Sequence, residues 1–132
     1  MADIKKNWSS QVWIEGDAVP TWTTLSSTTE EFSATVNMET DGYEAAHVKA
    51  EVDFQGSPNG NIEIAFYGSL DGSDWDSVPF HKITMDKDAG DNDLSFVIAG
   101  YSYWRMGFVN TNGADTANKV RASYKGWNYV ST

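Results

Sequence analysis

The chain has 132 residues, 40% of them hydrophobic and 14% aromatic, which is enough apolar material for one core and more than a disordered segment carries. It contains no cysteine, which excludes disulfides, thiolate metal sites and thiol nucleophiles. A formal charge of −10 argues against binding a phosphate backbone, since nucleic-acid readers gather Lys and Arg on one face.

Taken in chain order, the opening MADIKKNWSS has two lysines but no apolar run of signal-peptide length, and nowhere do about 18 apolar residues follow one another. Neither a secretory leader nor a membrane span is expected. Residues 1–30 are irregular, with Trp8, Trp13 and Trp22 among polar neighbours and Pro20 interrupting any long strand. They read as a Trp-rich arm or edge strands, with a strand candidate from Trp8 to Ile14. Residues 31–132 read as the main domain.

Within that domain Phe32, Ala34, Val36 and Met38 alternate with polar residues. From Ala46, period two places Val48, Ala50, Val52 and Phe54 on one face and His47, Lys49, Glu51 and Asp53 on the other, the mark of a half-buried strand. Ile62, Ile64 and Phe66 repeat the pattern, as do Val120, Ala122 and Tyr124. Val78–Met85, Leu94–Ala99 and Ser102–Asn110 are further candidates; in the last, Trp104, Met106 and Phe108 face the core and Tyr101, Tyr103 and Arg105 face away. Gly56–Gly60 and Ala89–Asn92 read as the loops between strands. No apolar stripe at helical spacing runs for a dozen residues. The expected fold is all-β, an antiparallel β-sandwich or jelly roll of about eight strands.

The chemistry-bearing residues form no catalytic constellation. His47 and His81 are the only histidines, and neither stands at a motif spacing from a nucleophile or carboxylate. Paired carboxylates of a glycosidase would have to face one another across a cleft, whereas most carboxylates here fall in turns or on outward strand faces. The protein is not expected to be an enzyme.

Asp86, Asp88, Asp91 and Asp93 crowd one loop and are the candidates for calcium. The EF-hand pattern fails, however, because the glycine comes one position early and Val97 stands where the bidentate Glu belongs. No cofactor is otherwise expected. Asp71-Gly72 marks a turn, after which Trp75 either covers the core or projects, with Tyr67, as a candidate ligand platform. Trp8, Trp13 and Trp22 are the candidates for a protein interface, where aromatic residues are enriched.

Three stretches between Tyr43 and Trp127 resemble small β-sandwich structural proteins of tailed bacteriophages. They are Phe66-Tyr67-Gly68-Ser69-Leu70-Asp71-Gly72 with Trp75-Asp76; Ala99-Gly100-Tyr101-Ser102-Tyr103-Trp104-Arg105 running to Val109-Asn110; and Val120-Arg121-Ala122-Ser123-Tyr124 closed by Trp127. The resemblance implies a non-enzymatic virion component, a capsid cement or decoration protein or a head–tail accessory subunit. Such a subunit covers joints as an oligomer, with the major capsid protein as neighbour and with no nucleic acid or membrane partner. The alternative is a carbohydrate-binding or receptor-recognition sandwich, with stacking by Trp75 and Tyr67 or by the N-terminal tryptophans.

Overall fold

A computed structural model describes residues 4–14, 22–90 and 92–131. In chain order the elements are β1 (Ile4–Trp8), β2 (Val12–Trp13), β3 (Thr23–Leu25), β4 (Glu31–Phe32), β5 (Val36–Asn37), a single helical turn α1 (Met38–Asp41), β6 (Ala45–Asp53), β7 (Ile62–Ser69), β8 (His81–Met85), β9 (Asp93–Ala99), β10 (Tyr103–Asn110) and β11 (Asn118–Ser131). They form two sheets. One has the order β1-β11-β6-β9, with β2 and β3 also along β11; the other has the order β4-β10-β7-β8, with β5 also along β10. Every strand pairing is antiparallel, and the sheets pack face to face as an all-β sandwich.

The alternation read from sequence reports the packing directly. Val48, Ala50 and Val52 of β6 with Val120, Ala122 and Tyr124 of β11 meet Ile62, Ile64 and Phe66 of β7 and Trp104, Met106 and Phe108 of β10 in one buried cluster. Each of the larger side chains, once removed from water, contributes roughly 1.5–3 kcal/mol, which is why one face of each strand is fixed inward.

Several expectations need correction. The strand expected from Trp8 to Ile14 is two strands, β1 and β2, interrupted at residues 9–11. Phe32 and Ala34 do not join Val36 and Met38 in the core: β4 is two residues long at a sheet edge, and Phe32 is 46% exposed. The strand expected from Val78 begins only at His81, with Val78 itself exposed. Tyr101 does not share the outer face with Tyr103 and Arg105. Its ring packs on Gly68 and stacks 3.9 Å from Phe80, because Gly100 at φ 83° turns the chain and resets its phase. The eleven strands among the described residues exceed the expected eight through short edge pieces.

The N-terminal segment lies along β11. Trp8 pairs with Trp127, Val12 with Tyr124 and Thr23 with Val120, so β1, β2 and β3 act as one broken strand beside the fourteen-residue β11. Tyr43 lies flat over Gly126 of β11, where any Cβ would strike its ring. Gly126→Ala is therefore expected to lower stability by about 2 kcal/mol through overpacking, read as a lower midpoint in urea with an unchanged slope.

One end of the sandwich is closed by a buried polar knot. Asn110 Nδ2 donates to the carbonyls of Leu25 (2.8 Å) and Asp115 (2.7 Å), and Asn118 Nδ2 donates to Asn110 Oδ1 (3.1 Å). Asp115 accepts from the backbone N–H groups of Asn59 (2.8 Å) and Gly60 (2.9 Å) and from Asn59 Nδ2 (3.2 Å). Burial opposes its charge, but these donors win and hold the carboxyl below the ordinary aspartate value.

Candidate interaction sites on the two sheet faces

Each sheet carries on its outer face an arginine clamped between aromatic rings. On the six-stranded sheet, Arg121 of β11 stands opposite Glu51 of β6. Its Nε donates to Glu51 Oε2 (2.8 Å) and its Nη2 to Oε1 (3.2 Å), a bidentate fork. The guanidinium lies 4.2 Å from the Trp22 ring centre and 5.2 Å from that of Trp13. Two of the three tryptophans singled out in the sequence thus converge on one cation.

The third makes a separate cluster. Trp8 is 45% exposed and meets Trp127 at 4.7 Å between ring centres, with Lys6 Nζ 4.6 Å from the Trp127 ring. Between these clusters a depression of about 210 Å³ is lined by Gln11, His47, Lys49, Ser123 and Lys125, among others. Glu51→Ala should cost about 1 kcal/mol, since the pair is only partly buried, and the loss should show as a lower denaturation midpoint.

On the five-stranded sheet, Arg105 of β10 stands opposite Tyr67 of β7. Its guanidinium is 3.9 Å from the Phe32 ring centre and 4.5 Å from that of Trp75. Trp75 is positioned by the turn before it. Ser69 Oγ accepts from Gly72 N (2.9 Å) and donates to the Asp74 carbonyl (2.7 Å), while Asp71 Oδ1 accepts from the backbone N–H groups of Ser73 and Asp74 (both 2.8 Å). The Asp71 carboxyl is held below its ordinary value by those backbone bonds. Trp75 itself bridges to Ser69, so its ring lies on the outer face, and the alternative that it covers the core is not realised.

Tyr67 Oη donates to Glu30 Oε2 (2.9 Å). Burial first, then the bond to Glu30 and its charge, raise the phenol above its ordinary value, while the charge on Arg105 acts in the opposite direction. Glu30 occupies the space over Gly107 that a side chain there would fill. Tyr67 and Trp75, paired as a platform in the sequence, are therefore brought together, and the residue that joins them is Arg105. Its outward phase was readable; its two ring partners, one on an edge strand and one beyond a turn, were not.

The carboxylates considered for calcium have other partners. Asp86 Oδ1 accepts from Asp88 N (2.8 Å), Asp88 pairs with Lys87 Nζ (2.8 Å), and Asp93 faces Lys49 Nζ at 3.6 Å; Asp91 lies outside the described residues. Among the described residues no three metal-ligating side chains gather. His47 points outward as expected, and His81 stacks on Phe66 at 5.8 Å.

No protein-family model matches the chain, and no curated protein matches it. The fold is similar to that of a phage capsid chain. A chain from the acid-stable capsid of Helicobacter pylori bacteriophage KHP30 aligns over 98% of this chain and 98% of its own length, with a TM-score of 0.53 and 12% identity. The mitogen derived from Yersinia pseudotuberculosis aligns over 96% of this chain and 86% of its own, with a TM-score of 0.41 and 9% identity. At 12% identity the likeness to the capsid chain is one of fold.

Proposed function

We propose that the chain is a non-enzymatic structural subunit of a bacteriophage virion, a capsid cement or decoration protein or a tail accessory subunit. It would stabilise the particle by packing against copies of itself and against the major capsid protein. The observation that carries this reading is the sharing of fold, end to end, with a chain of a phage capsid. The surface supports it: cations held between rings on both outer faces are rigid and amphipathic, the kind of group that anchors protein interfaces.

The test is the protein content of gradient-purified particles of the virus that encodes the chain. A stoichiometric band at 14.6 kDa is expected, with particles lacking it losing resistance to heat. Its absence from particles, or particles indifferent to its loss, would sink the reading.

A further inference from the structure

The two arginine clamps differ in one respect. Arg121 has two rings and a carboxylate, supplied by Glu51; Arg105 has two rings and no ion-pair partner among the described residues. Its Nε is buried with no hydrogen-bond acceptor. A guanidinium fixed in orientation by two aromatic walls has lost its rotamer freedom before any ligand arrives, so the cost of ordering it on binding is already met. Its two Nη nitrogens are neither buried nor hydrogen-bonded among the described residues, and that pair of donors matches a carboxylate. This stands out in a chain with 19 acidic and 9 basic residues, where carboxylates outnumber the cations available to them.

We propose that the Arg105 clamp binds the side-chain carboxylate of an Asp or Glu on a neighbouring polypeptide, completing from outside what Glu51 completes from within for Arg121. Phe32 and Trp75 form the walls, and Arg105 donates the hydrogen bonds. The inner face of each ring is turned to the guanidinium, which removes the sandwiched faces as platforms for a sugar and favours a planar group entering edge-on. Glu30 is a carboxylate placed nearby, over Gly107, and its hydrogen bonds come from Tyr67. The proposal rests on the reading of the chain as an assembly subunit.

The experiment is a titration of the isotopically labelled full chain with acetylated, amidated hexaglutamate at fixed ionic strength. It follows the Arg105 Nε–Hε signal, the Trp75 indole and the amides of Tyr67 and Gly107. A saturable shift is expected with hexaglutamate and none with hexaglutamine. Arg105→Lys keeps the charge but loses the fork, and should weaken binding about tenfold, the worth of one charge-assisted hydrogen bond. Trp75→Leu removes one wall and should weaken it too, whereas Glu30→Gln removes a repelling charge and should strengthen it.

No shift at Arg105, equal binding by Arg105→Lys, weaker binding by Glu30→Gln, or tighter binding of glucuronate than of the peptide would each overturn the assignment; the last would make the site one for acidic sugars. Absence of the chain from particles defeats the virion reading and leaves this titration standing. A flat titration for a chain present in particles defeats only the site.

Discussion

Trp104→Ala is expected to remove about 4 kcal/mol of unfolding free energy, the middle of the range for truncating a core aromatic. Trp104 is the largest fully buried side chain, lies at 0% exposure near the start of β10, and meets Tyr124 of the opposite sheet edge-on at 5.9 Å. Its loss leaves a cavity that both sheets would have to move to close, and strand pairing on β10 holds it in place between β7 and β5. Trp104 Nε1 is buried with no acceptor, so Trp104→Phe sheds an unpaired donor along with some volume and should cost clearly less than the alanine change. Urea denaturation of the three proteins checks both statements. Equal losses for Phe and Ala would mean that the retained phenyl ring recovers none of the lost packing.

The second large effect is at Asp115. Asp115→Ala leaves three donors, from Asn59 and Gly60, without their acceptor at the closed end of the sandwich, and is expected to cost about 3 kcal/mol at neutral pH. The pH dependence has a definite sign. The folded carboxyl titrates below its unfolded value, so the stabilisation is fully present above the ordinary aspartate pKa of 3.8 and disappears as pH falls through the lower folded value. The gap between the wild type and Asp115→Asn should therefore be wide at pH 7 and narrow in strong acid, measured by denaturation at both. A gap that does not change with pH would place the contribution in packing and not in charge.

How much of this could be read from residues alone depends on how each face is used. β6, β7 and β10 each turn alternate residues into the core, so Val48, Ile64 and Met106 announce their direction through period two. The rule fails where an outward face is covered. Trp127 is in phase with outward-facing Arg121, yet it is buried beneath Trp8 and Lys6, so the pattern of β11 dissolves after Tyr124 although the strand runs on to Ser131. It fails again at Phe32, where a two-residue strand is too short for alternation, and at Tyr101, where Gly100 shifts the phase.

The candidate site was legible in its parts and not in its assembly. Tyr67 and Trp75 draw notice as aromatic residues beside a turn, and Arg105 as an outward strand position. Their convergence depends on the β7–β10 register, and the other ring comes from β4, on the far side of β10. No local pattern encodes a register between segments so far apart in the chain.

β11 is the shared partner of β1, β2, β3 and β6, and its pairing with β1 joins Ile4 to Ser131. Little of the six-stranded sheet can therefore form from neighbouring segments alone, and the loop-closure entropy of nearly the whole chain is spent before the β1–β11 ladder is rewarded. Such a topology folds slowly, on the millisecond-to-second scale of β-sandwiches, and unfolds cooperatively once β11 releases its four partners.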